Sequence, residues 1–288
     1  MRQSKNRRGL VAFWLAGAVV MTGATVGAAA PAQAVVLPPT FVQATSASNS
    51  DTSKSVTAFC PAGKVVHGAG GKITDTGDGD VVLAAAMPDV ALTSVTARGE
   101  EHGIFSGNWT VTAYAICRAA PANMQLVTAD SANDSVSPKS TPAVCPAGLS
   151  LYGMGFDLHN TFGEVSPDDV EPSFGLTLAT VTAYENNSYG DPWYTTTAAI
   201  CGDPAATMQR VSQLSALLDS SSPKTVDASC PVGTFLTGVG GRLDSMEGNG
   251  ILSAVKPDNA LTKAHARGVE DGLHDVDWHV SAYAVCVT

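Results

Sequence analysis

Six cysteines fall on a period. Cys60, Cys145 and Cys230 are each 85 residues apart, and Cys117, Cys201 and Cys286 follow at spacings of 84 and 85. Within each pair the separation is 57, 56 and 56 residues. Self-similarity at a fixed period is the signature of a repeat architecture. The fold must therefore be one that three copies of a single unit can share. The units run 40–120, 121–204 and 205–288.

Other residues keep the same period. Each unit opens Cys-Pro-x-Gly, at Cys60–Gly63, Cys145–Gly148 and Cys230–Gly233. A Gly-x-Gly follows in each: Gly68 and Gly70, Gly153 and Gly155, Gly238 and Gly240. A third glycine, Gly71 and Gly241, is replaced in unit two by Phe156. A lysine stands six residues before each first cysteine, and a glutamate eight residues before each tryptophan: Glu101/Trp109, Glu185/Trp193 and Glu270/Trp278. Unit two is the divergent copy. It lacks the Ala-Arg-Gly-x-Glu of units one and three, and has Ala198 where they have Tyr114 and Tyr283.

Long helical patterns are absent, and period-two alternation between Gly, Pro, Asn and Asp clusters predicts an all-β protein of three tandem β-sheet repeats. In the closing strand of unit one, Trp109, Val111, Ala113, Ala115 and Cys117 share a face. An alanine lies two residues before every cysteine, so the strands that end in cysteine present small faces at matching heights. Equivalent units should make equivalent bonds, which predicts Cys60–Cys117, Cys145–Cys201 and Cys230–Cys286. Each bridge would close a long loop and contribute roughly 4 kcal/mol. Bridges within units leave open whether the units are separate beads or one closed prism. A bridge between units would point to a closed assembly.

The N-terminus reads as a secretory signal peptide, residues 1–34. Arg2, Lys5, Arg7 and Arg8 precede an apolar run from Leu10 to Ala30, and Ala32-Gln33-Ala34 supplies small residues for cleavage. An even cysteine count behind such a segment implies disulfides in an oxidising, extracellular compartment. The remaining chain holds 12 basic and 26 acidic residues, net −14. That argues against nucleic acid and against an anionic membrane surface as partners, and no second apolar run is long enough for a membrane span.

Chemistry is hard to place. The cysteines are committed to disulfides, no Gly-x-Ser-x-Gly elbow occurs, and no histidine recurs in all three units. The histidine-aspartate run His274–His279 lacks zinc spacing and reads as a polar edge. Asp75, Asp78 and Asp80 suggest a calcium loop but fit an acidic turn better. No cofactor or metal is expected. The repeated Glu and Trp admit two readings. In one, Trp fills the core and Glu caps a turn or pairs with the repeated lysine. In the other, Trp stacks on a sugar and Glu accepts its hydroxyl protons. Arg98 and Tyr114 would complete the site in unit one, and Arg267 and Tyr283 the site around Glu270 and Trp278 in unit three.

Cys-Pro-x-Gly, Gly-x-Gly-Gly and the closing Trp-x-Val-x-Ala-Tyr-Ala-Ile/Val-Cys resemble a repeat of secreted actinobacterial proteins of unassigned function. That resemblance implies compartment and repeat, and no activity. A looser likeness is to the vitelline membrane outer layer protein family, whose β-prism has three-fold internal symmetry. Here the units are longer, and that family's Asp-Asp-Thr-Ala-Leu-Asn-Gly run is missing. The functional expectation is a secreted, non-enzymatic binding or surface protein, with an extracellular glycan or cell-wall polymer as partner. The alternatives are a structural coat or interaction protein, or an enzyme inhibitor or hydrolase.

Overall fold

The structure is a computed structural model that describes residues 39–288 apart from 76–78, 187–188 and 273–274. The signal-peptide segment, Asp78 and His274 lie outside the described residues. Among the described residues there are eighteen strands and no helix. Unit one supplies β1 (Thr40–Thr45), β2 (Ser53–Phe59), β3 (Val65–Thr74), β4 (Val81–Pro88), β5 (Ser94–Glu101) and β6 (Thr110–Arg118). Unit two supplies β7 (Gln125–Asp130), β8 (Lys139–Val144), β9 (Ser150–His159), β10 (Val165–Pro172), β11 (Leu178–Glu185) and β12 (Tyr194–Gly202). Unit three supplies β13 (Met208–Leu214), β14 (Lys224–Ser229), β15 (Phe235–Asp244), β16 (Gly250–Pro257), β17 (Lys263–Glu270) and β18 (His279–Val287).

The units are not beads. Each splits its six strands between two sheets, and each sheet is completed by a neighbour. The three sheets run β1-β6-β3-β16-β17-β14, β13-β18-β15-β10-β11-β8 and β2-β5-β4-β9-β12-β7. The first is shared by units one and three, the second by three and two, the third by one and two. The third strand of every unit pairs with the fourth strand of another, antiparallel in each case. The ring therefore closes with pseudo-three-fold symmetry. Within a unit the two half-sheets face each other as a lobe, with β2 and β5 packed against β6 and β3.

The disulfides join these facing half-sheets. Cys60–Cys117, Cys145–Cys201 and Cys230–Cys286 have Cα separations of 5.7, 5.6 and 5.7 Å. All three lie within units although the assembly is closed. Ring closure is thus carried by backbone pairing between units rather than by covalent links.

The repeated glycines explain how the ring can close. In Cys-Pro-x-Gly the glycine has φ of +81°, +86° and +88° in the three units, and the following N–H donates to the proline carbonyl. This is a tight turn whose left-handed position favours glycine. The Gly-x-Gly run serves close approach instead. A Cβ on Gly68 would fall 2.1 Å from the Thr237 carbonyl oxygen, one on Gly153 2.1 Å from that of His67, and one on Gly238 2.6 Å from that of Tyr152. β3, β9 and β15 meet there, around the axis. The second glycine admits the neighbouring fourth strand: a Cβ on Gly240 would lie 2.2 Å from the Val170 carbonyl oxygen.

Candidate functional site

The Glu–Trp pair comes first because the sequence makes it the leading candidate. Trp109, Trp193 and Trp278 are 1 %, 0 % and 0 % exposed. Each indole N–H donates to the glutamate eight residues earlier, at 2.9, 3.0 and 3.1 Å. The repeated lysine closes the cluster. Lys54, Lys139 and Lys224 are buried, with Nζ 4.0, 4.7 and 5.1 Å from the centre of the respective indole ring. Lys139 and Lys224 also pair with Asp134 and Asp219, and Lys54 donates to the Asn49 carbonyl. Asn49, Asp134 and Asp219 bridge back to the tryptophans through backbone pairing. These three recur every 85 residues, five before the lysine, and that spacing alone was enough to find them.

Trp109 and Trp278 therefore offer no face to a ligand. A glutamate that takes the indole proton satisfies a buried donor, and a cation over the ring face covers the surface a sugar would stack on. The glycine of Ala-Arg-Gly-x-Glu belongs to the same packing. A Cβ on Gly99 would lie 2.7 Å from the Trp109 ring, and one on Gly268 2.9 Å from that of Trp278.

Nor does the structure bring Arg98 to Tyr114, or Arg267 to Tyr283. Arg98 stands on β5 and Tyr114 on β6, in different sheets. Tyr283 is 5 % exposed, with Arg210 over its ring at 4.4 Å. The structure regroups these residues across units. Tyr114 and Arg267 share the sheet of units one and three.

On that sheet a row of facing residues reads Lys72, Ala254, Arg267, Thr225. The same row on the unit one–two sheet reads Asp157, Ala85, Arg98, Ser55. On the unit two–three sheet it reads Arg242, Asp169, Thr182, Ser140. Two of the rows are neutralised internally. Arg98 donates to Asp157 at 2.7 Å and to Glu100 at 2.7 Å. Arg242 reaches Asp244 at 2.9 Å and Asp169 at 3.5 Å. The first row instead sets two cations on either side of an alanine.

A cavity of about 220 Å³ opens over this row, lined by Lys72, Asp75, Lys256, His265 and Arg267. Burial and then the neighbouring Lys72 charge lower the Lys256 pKa. Lys256 Nζ lies 5.9 Å from the Tyr114 ring centre. Arg267 donates to Ser253 Oγ at 2.8 Å, and His265 pairs with Asp227 at 2.8 Å. Two lysines, an arginine and a histidine thus share the cavity with the Asp75 carboxylate.

The opposite charge gathers on the unit two–three sheet. Asp168 is the extra residue of a β-bulge in β10, where unit one has Ala84 and unit three Ser253. Burial, then the adjacent Asp169 carboxylate, push Asp168 up to about 8. Asp169 is raised as well, chiefly by burial. Among the described residues no three His, Cys, Asp or Glu side chains are grouped to hold a metal ion. Among them, too, no helix is long and apolar enough to cross a membrane. Compared with known families and with curated proteins, the chain matches no family model and no curated sequence.

Proposed function

We propose that this is an extracellular, non-enzymatic binding protein whose ligand is an acidic carbohydrate, taken on the outer face of the sheet shared by units one and three. The signal-like N-terminus and the three disulfides support the compartment. One observation carries the ligand class: Lys72, Lys256 and Arg267 converge on one cavity in a chain that is otherwise strongly acidic. The Lys72 and Arg267 positions flank an alanine, two strand spacings of about 4.8 Å each. An anionic group fits between them. The fork of Arg267 suits a carboxylate or sulfate, and the two lysines supply point charges. Gln43 faces Tyr114 across β1 and β6 on the same sheet.

Glycan-array binding with the protein lacking residues 1–34 tests this reading. Uronate-bearing or sulfated glycans should bind, and their neutral counterparts should not. Lys72→Glu combined with Lys256→Glu should weaken binding by more than about tenfold while thermal stability stays within about 1 kcal/mol. Binding to neutral sugars that survives the double substitution, or silence across all acidic glycans, would sink the proposal.

A further inference from the structure

A second site lies at the seam between units one and two, where unit one departs from the repeat. The residue before the repeated lysine is Pro138 in unit two and Pro223 in unit three, but Ser53 in unit one. A cavity of about 280 Å³ opens there, lined by Thr52, Ser53, Glu100, Glu101, Gly103 and Phe162. Phe162 belongs to unit two, on the loop between β9 and β10, and is 74 % exposed. Unit three has Glu247 at that place. Glu100 fastens the loop. Its Oε2 accepts from the Thr161 hydroxyl at 3.0 Å and from the Gly163 N–H at 2.9 Å, and its Oε1 accepts from Arg98.

Glu100 is therefore fully engaged, and Glu101 is not. Glu101 is 6 % exposed, and its Oε1 takes the Trp109 indole proton. Its Oε2 accepts no hydrogen bond among the described residues. The partnerless carboxylate oxygens that are sealed from solvent belong to Asp168 and Asp169. Glu101 Oε2 is not one of them, so it keeps accessible surface on the cavity that its residue lines. In unit two the equivalent oxygen, Glu185 Oε2, is taken by the Tyr189 N–H at 3.3 Å. The buried Lys54 of the same cluster donates to the carbonyls of Asn49 and Trp109. A carboxylate this deep is rarely left without a cation.

We infer that this cavity binds a primary alkylammonium group, its nitrogen donating to Glu101 Oε2 and its carbon chain lying along Phe162. A single free carboxylate oxygen sets the class. A guanidinium fork pairs with both oxygens of a carboxylate, and Oε1 is occupied. Calcium needs several oxygens, and those of Glu100 are occupied too. A quaternary ammonium has no N–H to give. A primary ammonium has more donors than Oε2 can accept. The Thr52 and Ser53 hydroxyls line the same cavity and make no hydrogen bond among the described residues, so they can take the rest. The Phe162 ring offers apolar surface to the chain and a π face to the charge.

Each of the three indole N–H groups is bonded to its own glutamate, so nitrogen-15 NMR of the indoles reads the site directly. n-Butylammonium should move the Trp109 signal and leave those of Trp193 and Trp278 in place. Butylguanidinium, tetramethylammonium and butanol should each bind at least about tenfold more weakly. Glu101→Gln should abolish binding. Phe162→Ala, at an exposed position, should weaken binding by about threefold with the melting temperature unchanged, and decides the matter if Glu101→Gln does not fold. A free diamine and a lysine side chain share this chemistry. Tighter binding of cadaverine than of Nα-acetyl-lysine amide would assign the site to the free amine, and the reverse to a peptide. Four results would overturn the inference: a Trp109 signal that stays still, three indoles that move together, an equal response to butylguanidinium or calcium ions, or Phe162→Ala binding as tightly as the parent. None of these depends on the charged face between units one and three.

Discussion

Inside each lobe the same four positions meet. Trp109, Glu101, Lys54 and Asn49 in unit one are matched by Trp193, Glu185, Lys139 and Asp134, and by Trp278, Glu270, Lys224 and Asp219. Outside, the equivalent rows on the three sheets carry different charges. One holds Lys72 and Arg267, one an Arg98–Asp157 pair, and one an Arg242–Asp169 pair. The repeat is therefore kept where backbone and core demand it and released where solvent begins. What recurs in all three units is scaffold. What the chain uses for recognition is to be sought in the departures.

The comparison breaks first at the axis. Gly153 and Gly148 both recur in every unit, but for different reasons. A Cβ on Gly153 would strike the His67 carbonyl oxygen at 2.1 Å, and that atom belongs to a neighbouring unit's backbone and cannot rotate away. Around Gly148 nothing lies within 4 Å, and only its φ of +86° resists a side chain. Gly153→Val should cost more than about 5 kcal/mol and prevent the ring from closing. Gly148→Ala should cost about 1–2 kcal/mol. Thermal unfolding with size-exclusion chromatography reads both. Equal costs would mean that the axis is looser than its geometry.

The interior sharpens the comparison next. Trp109→Ala, Trp193→Ala and Trp278→Ala should each cost about 3–5 kcal/mol, the range for truncating a fully buried aromatic. Because the three clusters match, the three values should agree within about 1 kcal/mol. A much smaller loss for one, measured by denaturant unfolding, would show that the lobes are not energetic copies.

Much of this scaffold was legible in the chain. The cysteine period set the unit, the Ala-x-Cys steps set the pairing, and alternation set the strand type. The cross-unit pairing of β3 with β16, β9 with β4 and β15 with β10 was not legible, because a strand's own pattern does not name its partner. Of the two readings that the repeated Glu and Trp admit, the buried tryptophans fit the core one and not the sugar site. Repetition of Glu and Trp suggested a repeated binding site, yet an indole N–H needs a buried acceptor in every copy, and this alone fixes the glutamate. Arg267 was grouped with Tyr283 of its own unit. The shared sheet sets it instead beside Lys72 of unit one.

The smallest expected effect is confined to one sheet and turns on pH. Asp168 occupies a bulge position that is Ala84 in unit one and Ser253 in unit three. It is 6 % exposed, and its Oδ1 has no hydrogen-bond partner among the described residues. Its pKa rises from an ordinary 3.8 to about 8 on folding. The folded chain thus keeps a proton that the unfolded chain has released, so stability falls as pH climbs between those values. His67 acts in the other sense. Its pKa falls from 6.5 to about 4, so stability is lost as pH drops through that interval. Asp168→Ser, which installs the residue of unit three, should remove the decline between 3.8 and about 8 and stabilise the protein by on the order of 2 kcal/mol near the upper end of that range. Below the ordinary aspartate value it should change little. Melting temperatures of the two proteins across this range decide the matter. Parallel curves would mean that Asp168 ionises freely, and that the acidic face of units two and three is as well solvated as the paired face of units one and two.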